Sequence, residues 1–554
     1  MRAGIFLVGA TLLAAIAPAQ AQTPRNTLTI GMVQFPPDLH PYITDTSIKD
    51  TVLLAANRPM VGYASDGSVI CLLCTEIPTL QNGGAKLIKR DDGTDGMEVT
   101  YTLKPDLFWG DGVQVTAKDF AFSFQVSSTF NPPQVIESVV AVDPLHVKFV
   151  LKSTQYDYQR VANSMSGAAV LPEHIEAPIF AKATSPLDYG QKSAFNTQAN
   201  NPGLWLGPYR VADYQRSGMV ILLPNEYWKG PVPYFKKVQM RLVENTAALQ
   251  ANILAGDVDT VASGNLGLTL DQIISMSKTT ADRFDFNFIP SVASYEHLSL
   301  NLDNKFLSQR RIRQIIAMAI DRGTIVNRLF ADRFQVADSY VHPTQFGYDT
   351  DTKKWPYDPK KARFMLEEMG FKPGPDGIMR SPEGEKFSLD LTTTAGNHAR
   401  ELVEQVIQTE LKAIGIELVI KNQPAREMFG ETLRKRNFNG IVMFQTDMAL
   451  DYVPLIYFHT LYIPSAENSY SGLNYMDWRN PAVDAAIISA RAELDPEKRR
   501  EMSKTIQGQY VYDLPEIPLY FPATGLITPK WMTGIYNPQR YGFITSWIEQ
   551  WRAR

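Results

Sequence analysis

The loop at residues 394–400 combines residue types that bind an anion. It follows a predicted strand that ends near Thr393 and it opens a predicted helix, so the first backbone N–H groups of that helix and the guanidinium of Arg400 would point to one place. Asn397 and His398 add two polar side chains to the same loop. Ligands of α/β sheets bind at the carboxyl ends of strands. The loop therefore predicts a site for a carboxylate.

The usual catalytic motifs do not occur in the sequence. It contains no nucleophile elbow, phosphate-binding loop, dinucleotide fingerprint or zinc-protease motif. Its seven histidines are too far apart in sequence to form a local metal pair. The S-x-x-K match at residues 275–278 lacks the partner motifs of penicillin-binding enzymes. We expect a binding protein and not an enzyme, with no cofactor and no metal site.

The elements around the loop form a β-α-β unit. Leu389 and Leu391 mark a strand, and residues 416–420 mark the next one. Between them, apolar residues repeat at helical spacing up to Gly415, which ends the helix; they are Val403, Ile407, Leu411 and Ile414. Such a unit implies a parallel strand pair with a right-handed crossover. Elsewhere residues 98–103 alternate as a strand, so the predicted class is α/β with mixed sheets.

The chain has two cysteines, Cys71 and Cys74. Their flanking residues indicate extended chain, whereas a redox C-x-x-C motif requires a helix start in a thioredoxin-like unit. A structural disulfide or two free thiols is favoured over redox or metal chemistry.

Composition and the N-terminus indicate an exported globular protein. Of 554 residues, 44% are hydrophobic and 20% charged, and the formal net charge is −4. This near balance of acidic and basic residues does not indicate the basic surface that nucleic-acid-binding proteins usually have. Residues 1–21 resemble a cleavable secretory signal, with Arg2 before a short apolar run and Ala19-Gln20-Ala21 at the cleavage site. No cysteine lies at that site, so we expect a periplasmic protein that is not a lipoprotein.

Residues 101–120, with the sequence YTLKPDLFWGDGVQVTAKDF, closely resemble the signature of the family 5 extracellular solute-binding proteins. These are the peptide, nickel and opine receptors of ABC importers. Further matches follow in the family's order along the chain; they lie at residues 207–211, 224–230, 256–259, 300–301, 313–322, 357–370 and 480–484. An ordered set that covers nearly the whole chain is a specific resemblance.

The resemblance implies a two-lobed periplasmic-binding-protein fold of type II, cluster C, with an extra domain inserted in lobe I. After the signal peptide at 1–21, lobe I would consist of three segments, the inserted domain would interrupt it, and lobe II would form one continuous stretch. The predicted ranges are 22–55, 203–292 and 519–554 for lobe I, 56–202 for the inserted domain and 293–518 for lobe II.

The resemblance also implies site residues. Asp447 falls on the aspartate that pairs with the α-ammonium group of the ligand in peptide receptors, and Phe444 stands where tryptophan is commoner. Asp451 is a second candidate acid, although the usual Asp-Pro is absent there. Some dipeptide-binding relatives use an arginine in the loop that holds Arg400. Other candidates for the wall of the cleft are Tyr295 and His297, at the predicted crossing into lobe II, together with Trp205 and Asn474.

The predicted function is capture of a small peptide or similar zwitterionic solute between the lobes, and its delivery to an ABC permease. We expect a monomer. The alternatives within the same class are an opine, an oligosaccharide, glutathione or a metal chelate. An exported hydrolase and a chaperone-like binder of unfolded chains are alternatives from other classes.

Overall fold

The computed structural model describes residues 25–43, 46–64, 68–130, 135–165, 170–262, 266–448, 452–468, 470–535 and 544–554. The predicted signal segment at 1–21 and the candidate Asp451 lie outside these residues. The strands are β1 Thr27–Met32, β2 Val61–Tyr63, β3 Val69–Cys71, β4 Ala85–Lys89, β5 Asp95–Thr102, β6 Ile136–Ala141, β7 His146–Leu151, β8 Tyr209–Gln215, β9 Met219–Pro224, β10 Lys237–Leu242, β11 Thr260–Val261, β12 Phe284–Pro290, β13 Ser294–Leu300, β14 Gln335–Val336, β15 Lys372–Pro373, β16 Met379–Arg380, β17 Ser388–Thr392, β18 Glu417–Ile420, β19 Gly440–Asp447, β20 Glu516–Phe521, β21 Ala523–Pro529, β22 Met532–Thr533 and β23 Arg552–Ala553. The helices are α1 Ser47–Ala56, α2 Ala117–Phe130, α3 Glu173–Phe180, α4 Pro186–Lys192, α5 Ala194–Thr197, α6 Thr246–Ala255, α7 Leu270–Thr279, α8 Arg310–Ala319, α9 Arg322–Phe330, α10 Pro359–Glu368, α11 His398–Ala413, α12 Ala425–Glu427, α13 Leu455–Phe458, α14 Pro481–Ala492 and α15 Pro496–Asp513.

One mixed sheet is built from two distant parts of the chain. Its strand order is β11-β1-β10-β9-β8, and β1 runs parallel to both β10 and β11. Leu28 and Val238 pack in the core of this sheet, where Ile548 and Trp551 from the C-terminal end of the chain join them. The N-terminal, middle and C-terminal segments therefore share one hydrophobic core.

A smaller antiparallel sheet lies between these segments in sequence. Its order is β4-β5-β7-β6, and its core contains Tyr101, Phe149 and Trp109. The predicted strand at 98–103 lies largely within β5. Helix α2 starts after Thr116, whose backbone N–H donates to the Asp119 carboxylate at 2.7 Å.

The largest sheet has the order β14-β20-β13-β19-β17-β18. Strand β17 runs parallel to β18 and β19, whereas β13 runs antiparallel to β19 and β20. The predicted β-α-β unit is confirmed as β17, α11 and β18, with the apolar face of α11 buried against the sheet. Gly415 follows the helix with φ +91°, a conformation that glycine adopts without strain.

Two adjacent chain segments connect the largest sheet to the rest of the molecule. One runs from β12 through residues 291–293 into β13, and the other runs from β20 through Pro522 into β21. They are hydrogen bonded to each other, since the Ser291 N–H donates to the Pro522 carbonyl at 2.8 Å. Strand β21 also contacts β11 of the first sheet, since the Thr260 hydroxyl donates to the Ile527 carbonyl at 2.7 Å. We call these two hydrogen-bonded segments, residues 291–293 and Pro522, the paired crossing. In the described ranges, no helix is long and apolar enough to cross a membrane.

Candidate ligand-binding site

The site lies at one edge of the largest sheet, beside the paired crossing. Strands β17 and β19 are parallel, so their carboxyl ends meet at this edge, together with the start of α11. Strand β13 is antiparallel to β19, so its first residues lie beside the last residues of β19. In the register, Ser294 pairs with Asp447 and Glu296 pairs with Gln445. Residues directly after the crossing therefore face the end of β19.

Side chains on alternate positions form a polar face at this edge. Glu296, Gln445 and Asp447 share that face because strand side chains alternate between the two sides of a sheet. Arg400, in the first turn of α11, reaches across to Glu296. Its Nε donates to Oε1 at 2.7 Å and its Nη2 to Oε2 at 3.1 Å. Arg400, which was predicted to bind a ligand carboxylate, therefore binds a carboxylate of the chain itself.

The Glu296–Arg400 ion pair is largely withdrawn from water. The side chain of Glu296 is 5% exposed and that of Arg400 is 15% exposed. Burial by itself lowers the pKa of Arg400, but the charge and hydrogen bonds of Glu296, together with the effects of Tyr520 and Asp447, raise that pKa above its ordinary value. A third contact fixes the guanidinium, since Nη1 donates to the Thr394 hydroxyl at 3.0 Å.

Asp447 ends β19 with its side chain exposed to solvent. The Gln445 amide donates to its Oδ1 at 2.8 Å, and the Tyr457 hydroxyl donates to its backbone carbonyl at 3.0 Å. The carboxylate is therefore oriented by its neighbours while it still faces outward. An exposed carboxylate next to a crossing between two sheets can accept hydrogen bonds from a cation on a ligand.

Tyr295, His297 and Phe444 lie on the opposite face of the same two strands. Their exposed fractions are 1%, 0% and 6%. The Tyr295 hydroxyl donates to Glu516 Oε2 at 2.7 Å, and the His297 ring lies 4.5 Å from the Phe444 ring. Burial raises the pKa of Tyr295 well above its ordinary value, and the negative charge of Glu516 adds to this rise. The structure separates these three candidates from Asp447, and we assign them to the support of β13 and β19.

Asn397 and His398 begin α11. The Asn397 side chain accepts a hydrogen bond from the Arg400 N–H at 3.2 Å, which makes it the N-cap of the helix. His398 is exposed. The Gly396 N–H donates to Glu401 Oε1 at 2.8 Å, so this amide and that of Arg400 have oxygen partners within the chain.

Trp205 and Asn474 lie in the interior, both with 0% exposure. The Trp205 indole donates to the Ala199 carbonyl at 2.9 Å within the core of the first sheet. The Asn474 amide donates to the Trp478 carbonyl at 2.9 Å and accepts from the Trp478 N–H at 3.0 Å. Neither side chain has surface for a ligand in this structure, because packing and internal hydrogen bonds use it. Cys71 and Cys74 are joined in a disulfide.

Three residues at this site were not predicted as site residues from the sequence: Glu296, Gln445 and Thr394. Glu296 stands 104 residues before Arg400, so only the pairing of β13 with β19 brings it to the loop. The signal that could have indicated them is the alternation of side chains along a strand. Residues 294 and 296 share one face of β13, and residues 445 and 447 share one face of β19. Among the described residues, no group of three or more histidines, cysteines and acids converges to hold a metal.

Comparison with known proteins identifies the family. The family model of the bacterial extracellular solute-binding proteins, family 5, matches residues 85–466. The oligopeptide-binding protein AppA of Bacillus subtilis is 27% identical over 478 residues, which cover 82% of this chain and 81% of AppA. The glutathione-binding protein GsiB of Pectobacterium atrosepticum is 22% identical over 515 residues, which cover 90% and 89%.

A solved structure extends the similarity to the fold. The oligopeptide-binding protein of Thermus thermophilus, in complex with a pentapeptide, aligns with a TM-score of 0.75 and 26% identity, over 96% of this chain and 97% of that one. The two-lobed α/β fold with mixed sheets predicted from the sequence is confirmed. The chain belongs to the family 5 bacterial extracellular solute-binding proteins.

Proposed function

We propose that this protein binds a small peptide between its two lobes and presents it to the membrane permease of an ABC importer. It would do so in the periplasm, after export by the segment at 1–21, as a monomer without cofactor or metal. The observation that carries the proposal is the carboxylate of Asp447, exposed at the end of β19 beside the paired crossing. The similarity to oligopeptide-binding proteins supports it.

The proposed role of Asp447 is to pair with the α-ammonium group of the peptide. In the open protein this carboxylate is solvated, so an ion pair there would contribute little. When the lobes close, water leaves and the same pair strengthens as the local dielectric constant falls. A buried carboxylate without a cation costs several kcal/mol, so closure would favour ligands that carry the amine.

Closure itself follows from the paired crossing. We propose that residues 291–293 and Pro522 act as the hinge between lobe I, at 22–55, 203–290 and 523–554, and lobe II, at 294–521. The boundary expected between residues 518 and 519 falls inside β20, which pairs with β13, so the proposed boundary moves to Pro522. The pairing of β12 with β21 below the crossing, and of β13 with β20 above it, supports this division. A ligand that contacts both lobes stabilises the closed form by its differential affinity for that form.

The charges at the site favour a peptide over most of the alternatives. Asp447 and Glu296 carry two negative charges against the single positive charge of Arg400. An anionic metal chelate would be repelled, and an uncharged oligosaccharide would leave Asp447 without a cation. Glutathione also carries an α-ammonium group, and the similarity to GsiB makes it the second candidate. An opine, a hydrolase and a chaperone-like binder have no such support.

The first experiment is identification of the ligand that remains bound after purification. The protein is purified without denaturation, then denatured, and the released compounds are identified by mass spectrometry. We expect peptides with a free amino terminus. Recovery of glutathione would favour the second candidate, whereas recovery of a sugar or a chelate would contradict the peptide proposal. Bound peptides that are recovered unchanged after long incubation would exclude hydrolysis.

A further inference from the structure

Besides the paired crossing, a second contact joins the part of the chain that carries the largest sheet to the rest of the molecule. It is made by the segment that follows β7 of the four-stranded sheet. The Tyr156 N–H donates to the Arg491 carbonyl at 3.0 Å, and the Val453 N–H donates to the Tyr156 hydroxyl at 3.2 Å. Beside them, Nη2 of Arg491 donates to Oε1 of Gln155 at 3.3 Å. Two neighbouring residues therefore bind two separate segments on the other side.

Apolar and aromatic side chains reinforce this contact. The Tyr156 ring packs against the core that contains Phe458 and Tyr510, and Leu494 packs in return against the core of the four-stranded sheet. The Tyr156 ring also covers the buried guanidinium of Arg499, whose carbon lies 4.9 Å from the ring centroid. A guanidinium withdrawn from water is attracted to an aromatic face. Tyr156 thus supplies a backbone donor, a hydroxyl acceptor and an aromatic ring to one interface.

The two sides of this contact belong to parts of the molecule that the paired crossing separates. On one side, Phe122 of α2 lies in the core of the first sheet, and the Gly110 N–H donates to the Trp205 carbonyl at 2.8 Å. The four-stranded sheet is therefore attached to the first sheet. On the other side, the Tyr510 hydroxyl of α15 donates to Glu516 Oε2 of β20 at 3.3 Å. A rotation about the paired crossing would therefore change the distances across the contact.

From these contacts we infer that Gln155 and Tyr156 form a latch between the inserted domain and lobe II. The latch closes when lobe II moves toward the inserted domain, and it opens before a ligand leaves. Its hydrogen bonds are exchanged for bonds to water on opening, so the latch releases at a modest free-energy cost. The latch sets how long the lobes stay closed, and with it the rate of ligand release. This role rests on the proposed closure around a peptide.

The latch holds the same segment of lobe II that supports the proposed ligand acid. Val453 lies shortly after Asp447 in the chain, and the Tyr457 hydroxyl donates to the Asp447 carbonyl at 3.0 Å. The rings of Tyr452 and Tyr457 lie 6.1 Å apart and connect the two positions. A ligand at Asp447 and the latch at Val453 stabilise the same position of this segment, so each favours the other.

Release kinetics test the latch. Surface plasmon resonance measures the association and dissociation rates of a peptide that remains bound after purification. Tyr156→Ala removes the hydroxyl and the ring, so we expect dissociation about tenfold faster or more and an association rate within about threefold of the native value. The matched control is Tyr512→Ala, because the Tyr512 ring lies 4.0 Å from Arg310 within lobe II and both rates should equal the native ones.

A native dissociation rate in folded Tyr156→Ala would overturn the latch. If that variant does not fold, Tyr156→Phe takes its place, since it keeps the ring and removes only the acceptor for the Val453 N–H. We expect it to release the peptide about threefold faster or more, and an unchanged rate would again overturn the latch.

A distance measurement tests the latch without a ligand. Spin labels are attached at Lys118→Cys in the inserted domain and Lys412→Cys in lobe II, both exposed positions. The native cysteines are joined in a disulfide and do not take the label. In ligand-free protein, we expect Tyr156→Ala to shift the distance distribution away from that of the native protein, and Tyr512→Ala to leave it unchanged.

The two experiments separate the latch from the function on which it rests. Bound peptides with native release rates and native distances in Tyr156→Ala would overturn the latch and leave the proposed function intact. Failure of the native protein to bind any peptide would overturn the proposed function, and the role in ligand release with it.

Discussion

The two faces of β13 and β19 differ sharply, although their side chains alternate along the same backbone. One face carries Glu296 and Asp447 and leads to solvent, whereas the other carries Tyr295 and Phe444 and is closed. Each face contains a buried carboxylate. Glu296 is matched by the guanidinium of Arg400, and Glu516, behind the sheet, is matched by the Tyr295 and Tyr510 hydroxyls at 2.7 Å and 3.3 Å.

The contrast shows how one pair of strands can serve both support and recognition. Buried carboxylates on both faces have internal partners, as the cost of burying an unpaired charge demands. Asp447 differs because its side chain is exposed and the group that donates to its carboxylate is the neutral amide of Gln445. We therefore expect substitutions on the closed face to change stability, and substitution of Asp447 to change binding.

The largest effect should come from Phe444→Ala on the closed face. Removal of a buried phenylalanine should lower the free energy of unfolding by about 3–5 kcal/mol, because it leaves a cavity beside His297 and Tyr475. The matched control is Phe429→Ala, since Phe429 lies 5.8 Å from Phe444 but is 41% exposed. Chemical denaturation measures both variants. Equal losses for the two phenylalanines would contradict the assignment of the closed face to support.

Next in size is the effect of Asp447→Asn on peptide binding. Loss of the charge that we propose to pair with the ligand amine should weaken binding by about 2 kcal/mol or more, with little change in the free energy of unfolding. Isothermal titration with a peptide that remains bound after purification measures the change in affinity. Asp282→Asn, an exposed site before β12 at its far end from the crossing, is the control. An affinity equal to that of the control would remove Asp447 from the site.

The smallest effect should come from Asn397→Ala. Loss of the N-cap of α11 should lower the free energy of unfolding by about 1 kcal/mol. Because its oxygen already accepts the Arg400 N–H, peptide affinity should change by less than about threefold. Thermal unfolding and titration of the same preparation check both values. A tenfold loss of affinity without loss of stability would instead show that Asn397 contacts the ligand.

The sequence predicted the local elements of the site well, because each depends on neighbouring residues. The apolar repeat of α11 and the glycine that follows it identify the β17-α11-β18 unit. The contact between Glu296 and Arg400 could not be predicted from the sequence, because the register of the strands, and not proximity in sequence, brings Glu296 to Arg400. Trp205 and Asn474 illustrate the same limit. Residue type alone does not distinguish a tryptophan or asparagine that lines a cleft from one that is packed in the core. Burial is a property of the folded chain.

We propose that the polar face formed by Glu296, Gln445 and Asp447 recognises the amine of a peptide. The measurement is isothermal titration of the native protein with one peptide and its N-acetylated form, both with the sequence of a peptide that remains bound after purification. We expect acetylation to weaken binding by about 30-fold or more, the equivalent of about 2 kcal/mol. Equal affinity for the two peptides would contradict it.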